Sequence, residues 1–98
     1  MIPSSTYIHY RPDGPPAVDT SLHLTARSRI QCSTYPDRPA ILSVTDAHIS
    51  VAVTVPDPAK VSVDDLDAAV RLAEALADYI ADLRCRMAAQ DQAAPDAA

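Results

Sequence analysis

Histidine and cysteine are the residues of this sequence best suited to bind a metal ion or to act as base and nucleophile. His9, His23 and His48 are predicted on the polar faces of strands, where three converging imidazoles can bind zinc or copper. Their spacing does not bring them together across the nearest turn, so we interpret them as solvent-exposed residues and predict no metal site. Cys32 and Cys85 are too few and too far apart for a zinc pattern, and no histidine near them in sequence can activate a thiol.

Basic side chains form a second candidate site. His23, Arg27 and Arg29 share one polar strand face, and Arg38 follows in the next turn. This group is a candidate contact for a small anion or for nucleic acid, with nearby tyrosines available for stacking on bases. The alternative is a set of ordinary polar residues that protects an exposed sheet from pairing with other chains.

Glycine content excludes several classes of enzyme. Gly14 is the only glycine, whereas phosphate-binding loops, dinucleotide-binding turns and the G-x-S-x-G elbow need glycines for close backbone approach. The neighbouring carboxylates Asp64 and Asp65 are explained by the start of a helix. We therefore predict no catalytic residue, no cofactor and no enzymatic activity.

Charge is unevenly distributed along the chain. The net charge is −5; residues 1–60 hold five acidic and five basic residues, while residues 61–98 hold eight acidic residues and three arginines. Nucleic-acid binding is disfavoured, because phosphate neutralisation supplies most of the affinity of such proteins. No segment has the roughly 20 apolar residues that span a bilayer, and the N-terminus lacks a signal-peptide pattern, so we expect a cytoplasmic protein. The excess of arginine over lysine is typical of a high-GC bacterial or phage genome.

Short strands are predicted to carry these residues. Alternation of apolar and polar side chains predicts strands at about 5–11, 19–35, 40–45 and 48–55, with proline-rich turns at 12–16 and 36–39 and a reversal at 46–47. The stretch 19–35 is either one long bent strand or two short ones. Sequential strands with short connections favour an antiparallel meander, and Cys32 falls on its inward face as a small buried side chain.

The period changes from 2 to 3.6 after the last strand and predicts a helix over about 63–89. Ser62 is a good N-cap, the aspartates of the first turn complement the helix dipole, and Arg84 and Arg86 lie near the other end. The predicted fold class is α+β: an antiparallel β-meander of about four strands, followed by one long C-terminal amphipathic helix packed on the sheet. We expect a single domain over 1–90 and a disordered tail over 91–98.

The apolar arc of this helix spans about 180°, whereas a helix on one sheet needs only about 100°. Deep burial in a curved sheet explains the extra width, and so does contact with another chain. The helix is also longer than a strand of five or six residues can cover, which favours a partner. The expected interface residues are Leu72, Leu76, Tyr79, Leu83 and Met87.

The leading hypothesis is a non-enzymatic protein-interaction or regulatory module that forms a homodimer through the C-terminal helix. Low core volume supports it, since the chain has neither Phe nor Trp. The second hypothesis is an acidic accessory or inhibitor protein, of a kind that phages and mobile elements encode, which binds a basic partner surface through residues 61–98. The third is weak contact with nucleic acid or an anion through the Arg/His/Tyr face of the sheet.

Overall fold

The computed structural model describes residues 2–93. Within this range lie five strands and one C-terminal helix, which confirms the α+β class. The chain divides into two compact units, with the boundary between Ala59 and Lys60. The strands belong to the first unit and the helix to the second.

The first sheet is a two-stranded antiparallel hairpin. It pairs β1 (Ser5–His9) with β2 (Ala17–Ser21), and the register sets Thr6 opposite Thr20. The hydroxyl oxygens of these two threonines lie 3.1 Å apart, a cross-strand hydrogen bond that supports this register. The proline-rich segment predicted as a turn connects the strands, as expected where prolines cannot donate to a ladder.

The second sheet has three antiparallel strands. They are β3 (Arg29–Ser33), β4 (Ile41–Asp46) and β5 (Ile49–Val53), in the order β3–β4–β5. The central strand, β4, is half-buried along its whole length. Thr45 and Ser50 lie opposite each other, and their hydroxyl oxygens are 3.0 Å apart.

The predicted meander of about four strands is instead five strands in two sheets, because residues 19–35 do not form one strand. A turn interrupts them, in which the Thr25 N–H donates to the Ser28 hydroxyl (2.8 Å) and the Arg27 N–H to the Thr25 hydroxyl (3.2 Å). The Ser28 N–H also donates to the Thr25 carbonyl (3.1 Å). These local bonds occupy backbone groups that a continuous ladder would need. The two short strands that remain, β2 and β3, belong to different sheets.

The turn between β4 and β5 lies one residue later than predicted. Its two central residues are Ala47 and His48, since Asp46 pairs with Ile49. Ala47 has a φ of 49°, in the left-handed region that favours glycine. A positive φ at the first central position is a feature of the tight turns that fit the twist of hairpin strands.

The helix, α1, runs over Val63–Ala93 and begins where the sequence predicts. Ser62 is confirmed as its N-cap: its hydroxyl accepts from the Asp65 N–H (3.3 Å), and the Asp65 carboxylate accepts from the Ser62 N–H (2.8 Å). This reciprocal pair is a capping box with aspartate in place of the usual glutamate.

The helix ends four residues beyond the predicted residue 89, so residues 91–93, expected in the tail, are helical. Alanine and glutamine are good helix formers, and neither glycine nor proline intervenes to stop the helix. Arg84 and Arg86 are consequently outside the last turn, which contains no basic residue. The rest of the expected tail, 94–98, lies outside the described residues.

Burial is low throughout the part of the chain that the structure describes, where no side chain is fully buried. Cys32, expected inside, is exposed. From Asp64 to Gln92, only Asp65 is half-buried and all other residues are exposed. The packing of α1 on the sheet and the single domain over 1–90 stay predictions. No helix within residues 2–93 is long and apolar enough to cross a membrane.

Candidate functional site

The first candidate site is the apolar side of α1. The five residues predicted as an interface are all exposed, by between 44% and 64% of their surface. We call them the helix stripe: Leu72, Leu76, Tyr79, Leu83 and Met87. Side chains of this size seldom stand in a row on a surface without a function, because contiguous exposed apolar patches mark contact sites.

Local interactions stabilise α1 without using the helix stripe. The capping box satisfies two backbone N–H groups at the first turn, and Asp64 and Asp65 complement the dipole there. Further along, the Arg86 Nε lies 3.3 Å from the Asp82 carboxylate, an i, i+4 ion pair between two exposed side chains. The helix stripe is therefore available for contacts with another surface.

A second apolar surface lies on the three-stranded sheet. Cross-strand pairing aligns Ile30 with Val44 and Val51 in one row, and Cys32 with Leu42 and Val53 in the next. Since paired residues share a face, these six side chains form one surface, the apolar sheet face, as alternation predicts. Every one of them is half-buried or exposed.

His23 and Arg27, two members of the predicted anion group, line one shallow concavity of about 390 Å³. Its lining residues are Ile2, Pro3, His23, Thr25, Arg27, Asp46 and Ala47. Asp46 lines the same concavity as Arg27, so residues of both charges border it. An anion gains less from such a site than from a purely cationic one.

The other two members of the group have different surroundings. Arg29 is exposed on β3, where it pairs with Thr45 on the polar face of the sheet. The Arg38 guanidinium stacks 4.0 Å above the centre of the Tyr35 ring, a cation–π contact. Neither arginine is among the described residues that line the concavity. The structure thus brings together only His23 and Arg27 from this predicted group.

The sequence does not single out Ser4 as the partner of Asp46, one of the residues that line the concavity. The Ser4 hydroxyl donates to the Asp46 carboxylate and accepts from the backbone N–H of His23 (2.8 Å). Serine, histidine and aspartate are the residue types of a hydrolase triad, but here the histidine contributes its backbone and not its imidazole. The acceptor of the Ser4 hydroxyl is the Asp46 carboxylate, a weak base, and the His23 imidazole takes no part in these hydrogen bonds, so we interpret the arrangement as a structural bridge. No signal in the sequence reveals it, because Ser4 and Asp46 are 42 positions apart.

The remaining candidates are dispersed. The His9 Nε2 lies 2.7 Å from the Asp19 carboxylate across the first hairpin, with both side chains exposed, and His48 is in the turn before β5. Cys32 and Cys85 are both exposed and neither forms a disulfide. Across residues 2–93, no three His, Cys, Asp or Glu side chains are grouped as metal ligands would be.

No protein-family model, curated protein sequence or solved structure matches this chain significantly.

Proposed function

We propose that this chain is a non-enzymatic protein-interaction or regulatory module that forms a homodimer through α1. The observation that carries the proposal is the helix stripe, five large apolar side chains that remain about half-exposed on a helix with its own capping box. Covering them removes apolar surface from water, which is the main driving force of association.

A second copy of the chain is the partner that this surface fits best. The interior must be built from Ile, Leu, Val and Ala, because Phe and Trp are absent, and no described side chain is fully buried. A chain of this size with so little burial has a small margin of stability, and association supplies what the separate chain lacks. We propose a cytoplasmic location, because exposed thiols such as those of Cys32 and Cys85 stay reduced there.

Substitution of one central residue of the helix stripe tests the proposal. Leu83 is 44% exposed, so covering it contributes about 1 kcal/mol of the 1.5–3 kcal/mol that full burial of such a side chain provides. A homodimer contains two copies, and Leu83→Asp therefore costs at least about 2 kcal/mol, which is roughly a thirtyfold weaker association. Glu74→Gln, on the polar side of the same helix, serves as the matched control and leaves association unchanged.

Light scattering coupled to size-exclusion chromatography measures both variants and the parent chain. The expected result is a dimer for the parent chain and Glu74→Gln at high micromolar concentration, and a shift to monomer for Leu83→Asp. A parent chain that is monomeric at that concentration refutes the homodimer.

The acidic character of α1 supports a second candidate, an accessory or inhibitor protein that binds a basic surface. Residues 61–98 carry the whole net charge of the chain, and the acidic side chains on the polar side, such as Asp67, Glu74 and Asp78, are exposed. Binding of this kind weakens steeply with salt, because exposed charges are screened within about 8 Å at physiological ionic strength. Capture from a lysate that is equally strong at low and high salt would count against it.

A further inference from the structure

A heptad repeat runs along α1 inside its apolar arc. Positions spaced alternately three and four residues apart carry apolar side chains over three heptads: Leu66, Ala69, Ala73, Leu76, Ile80, Leu83 and Met87. We call this row the seam. A mean spacing of 3.5 residues keeps a row of side chains in contact with a second helix over several turns. The surface is therefore shaped for another helix.

Large and small residues are segregated along the seam. Ala69 and Ala73 lie in its first half, while Leu76, Ile80 and Leu83 lie in its second half. Two parallel copies in register would place alanine against alanine and leave a void there. Antiparallel copies centred between residues 74 and 75 place Ala69 opposite Ile80, and Ala73 opposite Leu76, of the second copy. Small side chains then face large ones, which is how close packing is reached.

Charge on α1 points independently to the same orientation. Asp64 and Asp65 occupy the first turn, whereas Arg84 and Arg86 lie about five turns later. In a parallel pair in register, the aspartates of one chain lie beside the aspartates of the other, and the arginines beside the arginines, so like charges are adjacent. The antiparallel pair centred at 74–75 sets the arginine-bearing end of one copy beside the aspartate-bearing end of the other, and Arg86 and Asp65, which each precede a seam residue, then lie on the same flank. The two helix dipoles also oppose each other in this arrangement.

The existing ion pair of Arg86 does not prevent such a contact. Its Nε lies 3.3 Å from Asp82, yet a guanidinium has five N–H donors and binds more than one carboxylate. The Arg86 side chain is exposed. It is therefore in a position to meet an acidic group of a second chain.

We infer that two copies of this chain pair α1 with α1 antiparallel, with the centre between Glu74 and Ala75 and with Leu66 opposite Leu83. The inference rests on the proposed function, because it specifies the geometry of that same homodimer. It commits to a second copy as the occupant, on the grounds of size complementarity along the seam and charge complementarity at its ends.

Disulfide trapping between two singly substituted chains tests the orientation. Cys32→Ser and Cys85→Ser first remove the native thiols. One preparation then carries Leu66→Cys, and a second, ¹⁵N-labelled preparation carries Leu83→Cys. The two are mixed in a glutathione redox buffer, and mass spectrometry counts the mixed and the identical disulfides.

The antiparallel pair predicts at least a tenfold excess of the mixed disulfide. This pair brings residue 66 of one copy level with residue 83 of the other. Residue 66 of one copy and residue 66 of the other are then separated along the helix axis by 17 residues, about 25 Å. A disulfide forms only when the Cα atoms are within about 7 Å. An excess of identical disulfides overturns the orientation. Dimers without either disulfide overturn the register, and in both cases the proposed function survives. A monomeric cysteine-free parent overturns both proposals.

A surface variant tests the charge argument without altering the seam. Arg86→Glu should weaken dimerisation about tenfold at low salt, because glutamate then lies beside Asp65 of the second copy, on the same flank of the seam, and the effect should shrink at high salt. The matched control is Arg71→Glu, the same change on the outer side of α1, which should leave dimerisation unchanged. Equal effects of the two changes would overturn the predicted charge pairing.

Discussion

The turn between β4 and β5 allows a stability prediction with a defined sign. Ala47 has a φ of 49°, a conformation in which a Cβ atom approaches the following carbonyl oxygen at a cost of roughly 1–2 kcal/mol. Ala47→Gly removes this strain. Glycine costs about 0.5–1 kcal/mol through the freedom it gives the unfolded chain. We expect Ala47→Gly to raise the free energy of unfolding by about 0.5–1 kcal/mol.

The same substitution in the next strand is the control. Ala52 is exposed in the middle of β5 opposite Ser43, in ordinary extended backbone. Ala52→Gly gains no relief from strain and should lower the free energy of unfolding by about 0.5–1 kcal/mol. Urea denaturation at fixed protein concentration measures both changes, and amide hydrogen exchange in β4 and β5 shows whether the effect is local. If both variants are destabilised alike, the left-handed conformation is not a source of strain and the reasoning fails.

Two further changes test hydrogen bonds seen in the structure. Ser62→Ala removes the hydroxyl that accepts from the Asp65 N–H in the capping box and should lower the free energy of unfolding by about 1 kcal/mol, whereas Ser62→Thr should retain most of this stability. Helicity measured by circular dichroism reports the result. Equal losses in both variants would argue against the cap. Ser4→Ala removes the hydroxyl that links the His23 N–H to the Asp46 carboxylate and should lower the free energy of unfolding by about 1–2 kcal/mol in urea. No measurable loss would show that water replaces the bridge.

The helix was largely predictable from sequence because its signals are local. The change of period to 3.6, the serine at position 62 and the two aspartates after it all lie within one short segment, and the reciprocal hydrogen bonds confirm their combined meaning. The continuation of the helix beyond residue 89 is not predictable, because nothing local marks an end there. The residues after 89 are small or polar but form helices well, so their composition resembles a tail where the helix continues to Ala93.

The break between β2 and β3 was less predictable, because apolar alternation continues through it. Thr25 and Ser28 end the ladder through short-range hydrogen bonds, and neither Gly nor Pro marks the place. The bridge between Ser4 and Asp46 could not be predicted at all, since it joins residues that only the tertiary fold brings together. Local signals such as the helix cap can be predicted from this sequence, whereas contacts between residues far apart in the chain cannot.

The interaction hypothesis explains why a fold with so little interior has two well-organised apolar surfaces. Most of the stability of a helix in a protein comes from packing of its apolar side, and surface ion pairs such as Asp82–Arg86 contribute only a few tenths of a kcal/mol. The helix stripe and the apolar sheet face therefore hold part of the free energy that burial can still supply. Under this hypothesis the chain gains stability where these surfaces are covered, and we expect folding and association to be coupled.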